Sequence, residues 1–256
     1  MVANVAASLE QHAMKAAAVY TRRNIVYIAR RGKGGELAGH CSGSLWRTSG
    51  GLAAALTVKH FVTGHRSFTI GGTTAHQVRL RDACFLEHPK LDLAVLVLND
   101  PEMANLALPV DALADVSDLA KGAPLLVSGF PKQGCFMDRD AKGEIKLMGD
   151  LTYFTAAAGR ATQSISIQWK EAETDEATAQ LFRKAEIRAG RHPMKKPESL
   201  SGGAAWLWRL LDANKVWSPS EAVKFVGVPY EFTNQRELAL PVWHWREWFH
   251  EQLAAA

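Results

Sequence analysis

Pro197-Glu198-Ser199-Leu200-Ser201-Gly202-Gly203-Ala204-Ala205-Trp206 places a serine before two glycines and then an apolar run. Glycines there let the backbone turn tightly, and neighbouring amides can converge on a developing negative charge. A Ser-Gly-Gly alone is usually just a loop. Two upstream segments change its weight. Leu56-Thr57-Val58-Lys59-His60 closes an apolar strand on a histidine, and Leu91-Asp92-Leu93-Ala94-Val95-Leu96 opens another with an aspartate. A serine nucleophile needs a base to take its proton and a carboxylate to orient that base. The chain supplies the three in the order His60, Asp92, Ser201.

The surrounding pattern is that of an all-β protein. Asn24 to Arg30 is β-branched and alternating, and short strand-like runs recur at 40–46, 52–58, 67–70, 76–80, 92–98, 124–128, 151–154, 164–169, 204–208 and 223–228. Glycine-rich turns punctuate them, which argues for a sandwich or barrel. Residues 3–20 are rich in alanine without glycine or proline and predict a helix. Thr174 to Ala189 carries a threonine N-cap, acidic residues in its first turn and basic ones in its last, all helix signals. Trp243 to Ala255 predicts a C-terminal helix after Pro241.

With LTVKH, LDLAVL and SLSGG on successive strand ends, the chain resembles the trypsin-like, chymotrypsin-fold serine peptidases. Their TAAH, DIALL and GDSGG segments correspond to these runs. The resemblance implies two six-stranded antiparallel barrels with the active site between them, which periodicity alone would not select. It divides the chain into an N-terminal helical extension (1–23), a first barrel (24–115) with His60 and Asp92, and a second barrel (116–242) with Ser201. The second barrel holds the helical insertion near 174–189, and a C-terminal helix (243–256) ends the chain. The half boundary falls in a weakly structured stretch around 104–122.

By the same resemblance, the amides of Ser199 and Ser201 form the oxyanion hole. The family has glycine at the position of Ser199, where the turn often needs unusual dihedrals, so a serine there predicts a hole that is not preformed and low basal activity. Lys59 stands where the family has a small residue, and its charge must reach solvent or a partner. About six residues before the nucleophile, at the base of the primary specificity pocket, come Lys195 and Lys196, which would suit an acidic side chain; a solvated basic loop is the other reading of that segment.

Composition bounds the rest. The 256 residues are 47% hydrophobic and 22% charged with a net charge of +4, ordinary globular values that call for neither nucleic acid nor membrane. The first twenty residues lack a basic n-region, and Glu10, Gln11 and His12 interrupt any apolar stretch, so they do not read as a signal peptide. The cysteines are three, Cys41, Cys84 and Cys135, without regular spacing. Secreted relatives close the histidine loop with a disulfide, and Phe61 occupies the place of the partner that Cys41 would need. The expectation is therefore a cytoplasmic, bacterial-type member with free thiols. His40-Cys41 and Cys84-x3-His88 are isolated pairs rather than a zinc pattern, and no cofactor is expected. Trp243, Trp245, Trp248 and Phe249 exceed what one helix face buries; core packing is their main use, and an exposed remainder would suit a protein partner.

The function implied is endopeptidase cleavage of a protein or peptide substrate by acyl transfer, regulated by an activating protein partner or signal as in effector members of the family. The alternative is a catalytically silent binding module on the same scaffold. An α/β-hydrolase is excluded, because no Gly-x-Ser-x-Gly elbow surrounds Ser201 and only His244 and His250 follow it.

Overall fold

The computed structural model describes residues 2–32, 34, 36–73, 76–114, 119–120, 122–131, 135–139, 145–148, 151–160, 164–168, 200–208, 218–233 and 236–256. Helix α1 (Val2–Arg22) comes first, its alanine-rich sequence ending on Arg22 at the negative end of the helix dipole. The strands β1 (Ile25–Arg31), β2 (Leu37–Arg47), β3 (Ala53–Thr57), β4 (Phe68–Gly72), β5 (Gln77–Leu80), β6 (Leu86–Glu87) and β7 (Ala94–Leu98) then build one seven-stranded antiparallel sheet. Its order is β5-β4-β1-β2-β3-β7-β6. A single helical turn, α2 (Lys59–Val62), leaves the end of β3.

The C-terminal unit contains β8 (Pro124–Gly129), the small hairpin β9 (Phe136–Arg139) and β10 (Ile145–Met148), then β11 (Leu151–Arg160), β12 (Ile165–Gln168) and β13 (Ala204–Trp208). The turn α4 (Pro219–Ala222) precedes β14 (Val223–Thr233) and β15 (Arg236–Pro241), and α5 (Arg246–Ala255) ends the chain; α3 (Pro101–Leu106) lies between the units. Six strands close a barrel in the order β11-β12-β15-β14-β13-β8. The expected all-β architecture of two curled antiparallel sheets is present. The second closes with six strands; the first carries seven, with β5 and β6 at its ends.

Side-chain alternation explains why β13 is buried throughout. Ala205 and Leu207 point into the barrel with Leu125, Val127, Ile165, Ile167, Val226 and Ala239. Ala204, Trp206 and Trp208 face the other way, into a second cluster shared with the first sheet and α5. Trp46 of β2 is the hub of that cluster: its ring stands edge-on to Phe225 at 5.0 Å and to Phe249 at 5.5 Å. Of the C-terminal aromatics, Trp245 and Phe249 are fully buried while Trp243 and Trp248 are half-buried, so packing absorbs most of that group.

Residues 100–114, between the two sheets, are ordered by local hydrogen bonds. Asp100 caps α3 by accepting the Met103 amide at 2.9 Å, with Pro101 in the first turn, and a 3-10 turn follows at Val110–Ala112. Trp46 and Phe225 each form an isolated bridge to this connection, to Leu108 and Leu113. The C-terminal helix is likewise preceded by a 3-10 turn, Val242–His244. The insertion predicted at 174–189 lies outside the described residues.

Candidate active site

β3 is buried along its whole length, and α2 begins just beyond its C-terminal end. A one-turn helix leaves its first amides without internal partners, and the N-cap residue, Val58, has no side chain to satisfy them. Asp92, on the loop before β7, does so from a distance. Its Oδ1 accepts the His60 amide at 2.7 Å, and its Oδ2 lies 2.5 Å from His60 Nδ1. One carboxylate thus holds both the backbone and the ring of the histidine. In the neutral ring the proton sits on Nδ1, leaving the Nε2 lone pair free to act as a base.

The electrostatics agree on the two partners. The hydrogen bond to Asp92 raises the His60 pKa above its ordinary value, against the opposing effects of burial and of the Arg30 charge. Burial alone would raise Asp92, but the hydrogen bonds from the His60 ring and amide outweigh it and hold the carboxyl low. Arg30 enters from β1. Its guanidinium stacks on the Phe61 ring at 4.2 Å, and both Nε (2.8 Å) and Nη2 donate to the Phe61 carbonyl at the end of the turn that carries His60. The Lys59 ammonium is settled by donating to the His88 carbonyl at 3.1 Å.

Ser201 lies in a turn closed by the Gly203 amide donating to the Leu200 carbonyl at 2.8 Å. Leu200 is buried in the barrel interior and anchors one end. Gly202 has φ +83°, the left-handed region that glycine occupies without strain. It has no room for a side chain either: a Cβ would come within 2.0 Å of the Ser42 carbonyl and 2.5 Å of Thr57 Oγ1. The serine turn therefore sits directly against the end of β3, three residues before His60. The Gly202 amide donates to the Pro229 carbonyl at 2.7 Å, and the Ser201 hydroxyl donates to the Tyr230 carbonyl at 3.1 Å.

His60 and Asp92 are thus joined directly, and Ser201 is held at the same end of β3, with its hydroxyl on Tyr230. Ser199, Lys195 and Lys196 lie outside the described residues. Sequence reasoning did not find Arg30, Ser42 or Tyr230, and no local signal marks them: each acts through a contact distant in sequence, two of the three through backbone atoms. Cys41 is buried with its Sγ 3.3 Å from Thr57 Oγ1; Cys84 is exposed, and none of the three thiols is in a disulfide. Among the described residues no group of three or more metal-binding side chains converges, and no helix is long and apolar enough to cross a membrane.

No protein-family model matches the sequence, and no curated relative does. Solved structures do. Over 93% of its length the chain superposes on an HtrA-type protease, AlgW, with tripeptide, at a TM-score of 0.56 and 14% identity. A serine endoprotease from Yersinia pestis matches over the same share at a TM-score of 0.55 and 15% identity. The chain spans 63% and 65% of the length of these two proteins. At such identity the likeness establishes the fold, that of the trypsin-like serine proteases, and leaves activity to be argued from the site.

Proposed function

We propose that the chain is a serine endopeptidase that cleaves protein or peptide substrates by acyl transfer. Ser201 is the nucleophile, His60 the general base and then the acid, and Asp92 the group that fixes the ring and stabilises the imidazolium. The unit spanning 24–115 supplies base and carboxylate, and the unit spanning 116–242 supplies the serine. The amides of Ser201 and Ser199 stabilise the oxyanion, and water releases the acyl group. The observation that carries this reading is the double hold of Asp92 on His60, at 2.7 and 2.5 Å, beside a serine on a tight glycine turn. A neutral imidazole in the tautomer that Asp92 selects can take the proton of Ser201 once the hydroxyl leaves the Tyr230 carbonyl. Lys195 and Lys196 incline the enzyme to acidic side chains. The enzyme works in the cytoplasm, and its activity is switched by a protein partner or signal.

One observation favours a second reading. The Ser201 hydroxyl is committed to Tyr230 rather than to His60, which suits a catalytically silent binding module on the same scaffold. A fluorophosphonate probe separates the two. A covalent adduct on Ser201 of the folded protein at pH 8, absent in Ser201→Ala, supports the peptidase; no adduct, with any required activator present, supports the binding module.

A further inference from the structure

Asp92 does its work from an irregular loop, half exposed and outside any strand. Both carboxylate oxygens meet His60, so the loop that carries Asp92 has to be held in place for both bonds to form together. The device that holds it is His88, at the head of the segment His88-Pro89-Lys90-Leu91-Asp92-Leu93. Its imidazole Nδ1 accepts the amides of Lys90 at 3.1 Å and Leu91 at 3.0 Å, the two residues before Asp92. Its own amide donates to the Leu93 carbonyl at 2.8 Å, just past Asp92. One residue thus clasps the loop on both sides of the carboxylate.

His88 reaches the histidine side of the site as well. Its carbonyl accepts the Lys59 ammonium at 3.1 Å, next to His60 in the chain. Trp248 of α5 stands edge-on against the imidazole at 4.9 Å and closes it off, leaving His88 only 8% exposed. A ring nitrogen that accepts two amides cannot carry a proton, so the neutral Nε2–H form is the one in place. Burial and the charges of Lys59 and Lys90 hold the ring in that form by lowering its pKa.

We infer that His88 is a positioning residue of the site: its unprotonated Nδ1 caps the loop that aims Asp92 at His60. The inference rests on the assignment of His60 and Asp92 as base and orienting carboxylate. A side-chain acceptor taking amides two and three residues ahead is the usual work of Asp and Asn, whose Oδ1 sits as far along the side chain as the Nδ1 of histidine. That equivalence supplies the test. His88→Ala removes the acceptor, and His88→Asn restores it without the ring.

Two readouts are taken on each protein: the rate and saturation constants of Ser201 labelling by a fluorophosphonate, and the low-field proton resonance of His60 Nδ1–H. In His88→Ala the limiting labelling rate falls by about a hundred-fold, the scale of an ångström-sized misplacement, while the saturation constant stays put. The low-field resonance broadens or disappears, and His88→Asn recovers both. If His88→Ala does not fold, His88→Asn decides alone: a folded variant with slow labelling and no low-field resonance overturns the proposal. So does an unchanged resonance in folded His88→Ala. A wild-type protein that shows the resonance but never labels refutes the peptidase reading, while loss of the resonance in His88→Ala still supports the positioning role.

Discussion

The Ser42 amide donates to the Ser201 carbonyl at 2.9 Å, across the boundary between the two units. Ser42 belongs to β2 of the first sheet, and Ser201 enters β13 of the barrel. The same Ser42 accepts the Thr57 hydroxyl on its carbonyl at 2.7 Å and the Phe130 amide on its Oγ at 2.8 Å. The serine turn is thereby tied to β3, the strand that leads into the turn carrying His60, so Ser201 and that segment share one buried polar network.

That network leaves no space beside Gly202. Gly202→Ala would place a methyl against the Ser42 carbonyl while forcing φ +83° on an L-residue. The backbone conformation alone costs about 1–3 kcal/mol, and the clash adds to it. Urea unfolding should show a loss of at least about 2 kcal/mol, together with loss of fluorophosphonate labelling. Unchanged stability would mean that the turn is not packed as described.

The His60 pKa is raised, chiefly by the Asp92 hydrogen bond, so activity should rise with pH through a midpoint above the ordinary value of about 6.5. Asp92→Asn should move that midpoint down and lower the plateau by about ten-thousand-fold, because the amide no longer selects the right tautomer. Stability follows the opposite limb for the histidine. Its raised pKa contributes fully below the unfolded value and is lost as pH rises through the folded one. Asp92, held low, contributes above its ordinary value and is lost as pH falls through its folded one. Between the two ordinary values both contributions are present. A pH–rate profile and a pH series of unfolding curves check the two signs separately.

The cysteines should differ sharply in reactivity. Burial pushes the Cys41 thiol up to about 12, while its hydrogen bond with Thr57 and the Arg30 charge only partly offset it. Cys84 is exposed. Brief alkylation at pH 8 followed by mass spectrometry should label Cys84 and spare Cys41 until denaturant is added. An intramolecular disulfide in protein from a reducing cytoplasm would contradict the free thiols.

Phe225 joins the units through packing. Its ring meets Trp46 of the first sheet at 5.0 Å, Trp206 of the barrel at 5.1 Å and Trp245 before α5 at 6.1 Å, all edge-to-face. Phe225→Ala should lower stability by about 3–5 kcal/mol. Because the cluster is shared, near-UV and far-UV signals should be lost in a single transition. Two separated transitions would show that the units unfold independently.

Much of the fold was legible because strand patterning is local. The alternation of Ile25–Arg31 and the apolar run Ala204–Trp208 each mark a strand without reference to the rest of the chain. β15 escaped, since Arg236-Glu237-Leu238-Ala239-Leu240-Pro241 opens on two charged residues and ends on proline. Glu237 is only 2% exposed there, a burial that no propensity scale assigns to glutamate. The β9–β10 hairpin and the two-residue β6 were equally silent, as pairing rather than composition makes them strands.

By itself the sequence determined an all-β chain with helical ends and singled out His60, Asp92 and Ser201, because strand periodicity, turn glycines and residue order are written along the chain. Only the tertiary structure decided that Asp92 holds both the amide and the ring of His60, that Ser42 anchors the serine turn, and that the Ser201 hydroxyl rests on Tyr230. Those are contacts between segments tens of residues apart, mostly through backbone atoms that every residue shares. A hydrogen bond from an amide or to a carbonyl leaves no mark on residue type, so it becomes readable only once folding has brought the segments together.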